Sequence, residues 1–188
     1  MIQIVGGLPG SLDVLPGISG FKWEFAGFTG LAGNGANITV TLKRPYRYLL
    51  ALARIAGYTG NNIARWQFNG DTGANYGAVA SEPSDAAATS TINTNGILVG
   101  ETAQTAARAL QVMFAAKDAA GRIARVRGMG IDDTEVITTA VALTSHGGIW
   151  NNTTALFTSV TLNEGATGGN NLLTGSNVVV FGADTITA

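Results

Sequence analysis

Three side chains that could bind a ligand lie close together in the string FNGDTGANY, which runs from Phe68 to Tyr76. Asn69, Asp71 and Asn75 could supply oxygen atoms to a calcium ion or hydrogen-bonding groups to a glycan. Calcium sites usually gather several carboxylates, however, and this string contains one. Asn and Asp also fold back on their own backbone, and Gly adopts positive φ. The pattern favours a structural turn built on Asn69, Asp71, Asn75 and Tyr76, with no bound metal, over a ligand site.

The sequence offers few groups for catalysis. Its single histidine, His146, stands in the string SHGG with no local signature of a nucleophile, and we interpret it as a solvated loop residue. The acids Asp132, Asp133 and Glu135 follow Ile131 on a predicted turn. Adjacent residues in a turn or strand point apart, so they do not indicate the facing carboxylates of a glycosidase. We therefore predict a protein that is not an enzyme and has no cofactor.

The composition limits the partners. The 188 residues suit one domain with a substantial core. A net charge of −1 without a basic run predicts binding to neither nucleic acid nor a membrane surface. Only 12% of the residues are charged while 46% are hydrophobic, so part of the surface is expected to face other subunits. There is no cysteine, which excludes a disulfide scaffold and a Cys-based zinc site. There is also no 18-residue apolar run and no signal-peptide pattern, which predicts synthesis in the host cytoplasm.

Short apolar stretches separated by 26 glycines are typical of many short strands. Apolar and polar residues alternate from Asn37 to Leu42. From Ile63 to Phe68 the alternation places Trp66 and Phe68 on one face, where we expect them in the core. Further strands are predicted at 21–28, 46–56, 136–144, 157–162 and 177–181. Eight or nine strands predict an all-β fold, an antiparallel β-sandwich of jelly-roll type.

Residues 101–120 fit two kinds of secondary structure. Their Ala, Gln and Arg content would propagate a helix. Leu110, Val112, Phe114 and Ala116 alternate as in a strand, however, and residues 118–121 resemble a hairpin turn leading into 123–126. We favour the hairpin.

Residues 1–20 are predicted to form an extended arm ahead of a single domain at 21–188. Two Leu-Pro-Gly turns cut this segment into pieces too short for regular structure. Its apolar side chains must then pack elsewhere, and they are Leu8, Leu12, Leu15 and Ile18. The arm either binds a neighbouring subunit through them or lies on its own domain as a strand and loop.

Two stretches of the chain resemble a known family. Residues 65–76, RWQFNGDTGANY, resemble the FNGDxGxNY signature of jelly-roll structural proteins from the virions of tailed bacteriophages. Residues 149–182 contain IWNNT, FTSVTL and GSNVVVFG, which resemble the W-x-x-T, TSxTL and GSxxxxxG close of the same family. The chain departs from the pattern at Phe181, where the family usually has Tyr, and in its Ala-rich middle at 86–120.

The resemblance implies an oligomeric virion protein located outside a shell or tail. Together with the low charge and the apolar arm, it predicts a capsid decoration or cement protein on the exterior of a phage head. Its expected partners are itself, as a homotrimer, and the major capsid protein. The alternative is a receptor-binding module of a tail or head fibre, which would bind host glycans.

Overall fold

The computed structural model describes residues 11–12, 22–81, 89–99, 107–116, 123–133, 143–152, 155–165, 169 and 171–184. These residues form strands joined by turns and loops, and none of them belongs to a helix that could cross a membrane. The thirteen strands are β1 Ser11–Leu12, β2 Trp23–Gly30, β3 Asn37–Tyr46, β4 Tyr48–Ile55, β5 Arg65–Phe68, β6 Tyr76–Ser81, β7 Thr89–Thr94, β8 Ile97–Leu98, β9 Ala107–Ala115, β10 Ile123–Asp133, β11 Leu143–Asn151, β12 Phe157–Asn163 and β13 Asn177–Ala183.

The strands form two antiparallel sheets. The large sheet has nine strands in the order β1-β2-β13-β4-β9-β10-β11-β6-β7, and the small sheet has four in the order β3-β12-β5-β8. The sheets pack face to face, since the ring of Trp66 in β5 lies 5.5 Å from that of Phe114 in β9. This confirms the predicted antiparallel β-sandwich. The jelly-roll connectivity stays a prediction.

Alternation along the strands separates the core from the surface. β4 buries every second residue, beginning at Leu49, and β3 does the same from Ile38 to Leu42. Successive side chains of a strand point to opposite faces, so each strand gives half of its residues to the space between the sheets. Trp66 and Phe68 are fully buried there, which confirms their predicted place in the core.

A cluster of aromatic rings joins the two sheets. The ring of Phe68 lies 5.0 Å from Phe114, 5.0 Å from Phe157, 5.3 Å from Trp150 and 6.2 Å from Tyr76, measured between centroids. These five residues come from five strands, with Phe68 and Phe157 in the small sheet. Rings at these separations and tilts attract one another in addition to the burial of their area. The centre of the sandwich is therefore aromatic.

β9 and β10 form the predicted pair of strands. β9 and β10 are antiparallel, with Ala115 opposite Arg125, and the predicted turn at 118–121 lies outside the described residues. The predicted turn at Asp132 and Asp133 is wrong, because both residues belong to β10 and lie opposite Arg108 and Ala107. Glu135 lies outside the described residues.

The strand predicted at 136–144 overlaps the described residues only at its end. There β11 begins at Leu143 and runs to Asn151, straight through the segment interpreted as a loop. The loop interpretation of His146 is therefore wrong.

Two residues of the N-terminal segment are described. Ser11 pairs with Glu24 and Leu12 pairs with Trp23, so this part of the backbone lies at the edge of the chain's own large sheet. Leu8, Leu15 and Ile18 lie outside the described residues. Binding of the arm to a neighbouring subunit stays a prediction.

Candidate functional site

The chain reverses direction directly after β5. Asn69 and Gly70 have positive φ, at 52° and 69°, and the N–H of Asp71 donates to the carbonyl oxygen of Phe68 over 2.9 Å. Asn tolerates the left-handed conformation better than other side chains, and Gly adopts it without steric cost. The local sequence Asn-Gly-Asp therefore produces a tight turn at this end of the sandwich.

The carboxylate of Asp71 holds the turn together. Its Oδ1 accepts from the N–H of Gly73 at 2.9 Å, and its Oδ2 accepts from Asn75 Nδ2 at 3.1 Å and from Trp150 Nε1 at 2.8 Å. Burial disfavours the charged form of Asp71, but the hydrogen bonds from Trp150, Gly73 and Asn75 outweigh it. They hold the pKa of this carboxyl below its ordinary value. Asp71 thus accepts hydrogen bonds from both segments of the resemblance.

Tyr76 closes the turn from the inside. Its ring is buried, and its hydroxyl donates to the carbonyl oxygen of Asp71 at 2.9 Å while accepting from the N–H of Phe68 at 3.1 Å. Burial raises the pKa of Tyr76, so the hydroxyl keeps its proton and remains a donor. The hydroxyl therefore satisfies two backbone groups that the turn leaves unpaired.

Asn69 links the turn to the small sheet. Its Oδ1 accepts from the N–H groups of Thr158 and Ser159, at 2.8 and 3.2 Å, and its Nδ2 donates to the carbonyl oxygen of Leu156 at 2.8 Å. The bonds from Thr158 and Ser159 to Asn69, and the bond from Trp150 to Asp71, join residues 65–76 to the region from residue 149 onward. Sequence reasoning assigned no role to Trp150, because a bond between residues 79 positions apart leaves no local pattern.

This arrangement differs from that of a calcium site. A calcium ion needs several oxygens with free lone pairs directed at one point. The Asp71 carboxylate instead faces N–H donors, which would also face the cation. Among the residues that the structure describes, no group of three or more His, Asp or Glu side chains could hold a metal ion. The Asp71 carboxylate is arranged as an acceptor of hydrogen bonds that stabilise the turn.

We expect Asp71→Ala to lower the free energy of unfolding by about 1 to 3 kcal/mol, because the buried indole N–H of Trp150 and the N–H of Gly73 lose their acceptor. Urea denaturation at pH 7 measures this loss. The exposed neighbour Thr72 provides the control: Thr72→Ala removes a side chain from the same turn without removing the acceptor.

Calcium should leave the melting temperature of the wild-type protein unchanged relative to a chelator. A calcium-dependent rise that disappears in Asp71→Ala would contradict the structural role and establish a metal site.

His146 lies in the core of the sandwich. Only 2% of its surface is exposed, and neither ring nitrogen has a hydrogen-bond partner among the residues that the structure describes. Burial, together with the positive charge of Arg108, lowers the pKa of His146 to about 4. The imidazole is therefore neutral at pH 7, in contrast to the solvated side chain expected from the sequence.

The glycines after His146 explain why the sequence was misread. They suggested a loop, but a Cβ atom at Gly148 would lie 2.5 Å from the carbonyl oxygen of Gly77 and 2.9 Å from the side chain of Ile97. Glycine is required at this position because another strand passes close by, a contact that only the folded chain reveals.

The outer face of the large sheet carries two adjacent apolar rows. They cross four neighbouring strands, β2, β13, β4 and β9, in registered pairs. The first row is Phe28, Val179, Leu52 and Gln111, and the second is Phe25, Phe181, Leu50 and Met113. We call these eight residues the outer patch. All eight are exposed or half-buried, with Phe28 56% exposed and Met113 52% exposed, and seven of them are apolar.

Charged groups lie at the border of the outer patch. Lys43 places its Nζ 4.8 Å from the ring centre of Phe25, and Arg44 forms salt bridges with Glu24 and Asp184. Arg44 and its two partners are all partly exposed, and exposed pairs of this kind contribute at most about 1 kcal/mol. The border is thus charged while the eight patch residues are not.

Comparisons with known proteins give little guidance. No protein-family model matches the chain, and no curated protein does so either. Among solved structures, a mutant alginate lyase in complex with an alginate trisaccharide matches 89% of this chain and 82% of its own, with 9% sequence identity and a TM-score of 0.29. A likeness at this level establishes neither a shared fold nor a shared function.

Proposed function

We propose that this chain is a non-enzymatic structural subunit of a bacteriophage virion, a capsid decoration or cement protein that binds the outside of the head. The outer patch is the observation that carries the proposal. Contiguous apolar surface on a folded domain marks a site of interaction, because water-exposed apolar rows are unfavourable. A chain with 12% charged residues has little else with which to solvate that face.

The hydrogen bonds around Asp71 and Asn69 support the structural assignment. They connect the two segments that resemble phage virion proteins, and they attach Trp150 of the large sheet and Thr158 of the small sheet to the same turn. A subunit of a shell must hold its shape under load. Asn69, Asp71 and Tyr76 serve that need directly, since each one forms hydrogen bonds that fix the turn or attach it to a neighbouring segment.

In this proposal, residues 1–20 bind the major capsid protein. Leu8, Leu12, Leu15 and Ile18 supply the apolar contacts, and each leucine removed from water contributes roughly 1.5 to 3 kcal/mol before ordering costs. Several copies on one assembly would bind together, and this multivalency raises the overall affinity. In this proposal the arm and the outer patch both contact the shell, since Ser11–Leu12 of the arm pairs with β2, one of the four strands of the patch.

Binding to purified phage heads that lack the native protein tests this function. We expect the full chain to decorate such heads and the deletion of residues 1–20 to abolish decoration. Because the deletion also removes β1, a second variant replaces Leu8, Leu15 and Ile18 by Ser and leaves Ser11–Leu12 in place. It should lose decoration while keeping the melting temperature of the wild type.

Undiminished decoration by both variants would show that the arm has no docking role. Binding of the full chain to tail tips or host glycans, but never to heads, would overturn the cement assignment and favour a receptor-binding module.

A further inference from the structure

We propose that Asn95 is a self-modification site, at which the backbone nitrogen of Gly96 converts the asparagine into an aspartate that pairs with Arg65. The modification is independent of the proposed function. It is supported by the chemistry of Asn-Gly pairs, by the different ways in which the fold holds three such pairs, and by a half-buried arginine with no acidic partner among the residues that the structure describes.

The reaction needs only water. The backbone nitrogen that follows an asparagine attacks its side-chain carbonyl carbon, a C–N bond forms, and the side-chain nitrogen leaves as ammonia with the proton of the attacking N–H. Water then opens the succinimide ring, so a neutral amide is replaced by a carboxylate. Glycine after the asparagine favours the attack, because it has no side chain to hinder ring closure.

The chain contains three Asn-Gly pairs, which begin at Asn34, Asn69 and Asn95. Their local sequence is the same, so we expect them to react at similar rates in the unfolded chain. Any difference between them in the folded protein must then come from the tertiary structure.

The fold restrains the first two pairs. The N–H of Gly35 donates to the carbonyl oxygen of Leu172 over 3.0 Å, so the nitrogen that would attack Asn34 is held in a β-bridge. Asn34 Oδ1 also accepts from the N–H and the hydroxyl of Thr174, at 3.0 and 3.1 Å. At Asn69 the three hydrogen bonds described above fix both ends of the amide. Both pairs are therefore protected in the fold.

The pair at Asn95 lacks these restraints. Among the residues that the structure describes, no acceptor binds the N–H of Gly96. The Asn95 side chain is exposed to water, and its Oδ1 accepts a hydrogen bond from the guanidinium of Arg65. The attacking nitrogen is thus available, and the amide oxygen already faces a positive charge.

Arg65 lies against both members of this pair. Its guanidinium donates to Asn95 Oδ1, and a Cβ atom at Gly96 would lie 2.9 Å from its own Cβ. Attack on the amide carbon places negative charge on Oδ1, and a cation fixed beside that oxygen stabilises the charge as it develops. Arg65 should therefore accelerate ring closure.

The aspartate would also give Arg65 a charged partner. Arg65 is half-buried, and its Nε is buried without a hydrogen-bond partner among the described residues. Burial lowers the pKa of Arg65, because desolvation disfavours the charged form. A carboxylate in place of the amide matches the fork of donors that a guanidinium presents. At Asn69 the same change would set a carboxylate against the carbonyl oxygen of Leu156.

The fold also selects between the two products of ring opening. Water can restore the normal backbone, which gives aspartate, or leave a backbone that is longer by one carbon, which gives isoaspartate. Thr94 is paired with Tyr76 in the large sheet and Ile97 with Trp66 in the small sheet, so the connection at 95–96 has fixed ends. We expect aspartate to dominate, since the longer backbone does not fit between these ends.

Peptide mapping of the full chain after incubation in mildly alkaline buffer tests the site. Chymotrypsin cuts after Tyr76 and so separates Asn69 from Asn95, and tandem mass spectrometry locates the mass gain. In the folded protein we expect Asn95 to convert at least about tenfold faster than Asn34 or Asn69, because the guanidinium acts at one site alone. In urea the three sites should react at similar rates.

Substitutions of Arg65 test the role of the guanidinium. We expect Arg65→Gln to slow the conversion of Asn95 by about tenfold or more, while Arg65→Lys keeps a positive charge and should give an intermediate rate. Arg54→Gln, on β4 of the other sheet, is the control and should leave the rate unchanged. Circular dichroism should confirm that the three variants are folded.

The variant Asn95→Asp carries the product from the start and provides a second measurement. We expect its melting temperature to exceed that of the wild type by about 2 to 4 °C, and the gain to disappear when Arg65→Gln is also present. Asn95→Ser removes the amide without adding a charge and should give no gain.

Equal rates at the three sites in the folded protein, or faster conversion at Asn34 or Asn69, would overturn the proposal. An unchanged rate in folded Arg65→Gln, or a melting temperature of Asn95→Asp at or below that of the wild type, would also overturn it. If Arg65→Gln failed to fold, the comparison of the three sites in the wild type would decide.

Discussion

Replacement of Trp66 by Ala should lower the free energy of unfolding by about 3 to 5 kcal/mol, as is typical for an aromatic side chain deleted from a packed core. Trp66 is fully buried and its ring lies 5.5 Å from that of Phe114 in the opposite sheet. The deletion therefore removes contacts between the sheets and leaves a cavity. Guanidinium denaturation followed by circular dichroism measures the loss.

Two control variants test whether the loss of unfolding free energy in Trp66→Ala comes from lost packing. Trp66→Phe keeps an aromatic ring, and the indole N–H has no hydrogen-bond partner among the residues that the structure describes, so we expect less than half of the loss. Ile149→Ala removes an apolar side chain that is 44% exposed and should cost less than about 1 kcal/mol. A loss below about 1 kcal/mol for Trp66→Ala would mean that this face of β5 is not in the core.

Acid should destabilise the protein through His146 by about 3 kcal/mol between pH 7 and pH 4. In the unfolded chain the imidazole titrates at its ordinary value of 6.5, whereas burial and the charge of Arg108 lower the pKa of His146 in the fold to about 4. Below pH 6.5 the unfolded state therefore binds a proton that the folded state does not. Stability falls as the pH decreases through this window and levels off below the folded pKa.

The variant His146→Leu tests whether His146 is the group whose protonation destabilises the fold. Leucine cannot bind a proton and has a similar size, so the loss of stability between pH 6.5 and 4 should disappear from urea denaturation curves. Asp71 provides an internal control, because its lowered pKa stabilises the fold above its ordinary value of 3.8, and this stability is lost only at lower pH. If His146→Leu kept the wild-type slope between pH 6.5 and 4, another group would take up the proton.

The local sequence was enough to predict several of the strands and the turn after β5. The alternation from Asn37 to Leu42 and from Ile63 to Phe68 has a period of two, and that period places side chains on opposite faces in any strand. The same reasoning identified the strand at 107–115, where composition alone had suggested a helix. The turn at Asn69 and Gly70 follows from backbone conformations that these two residue types adopt readily.

Contacts between distant residues decided the rest. The burial of His146, the hydrogen bond from Trp150 to Asp71 and the two apolar rows of the outer patch all require strands to be neighbours in the sheet although they are far apart in sequence. Alternation shows that a strand has two faces, but not which face is covered. The sequence alone thus determined an all-β chain with a core face on each strand, while the order of strands in the sheets decided which apolar residues remained exposed.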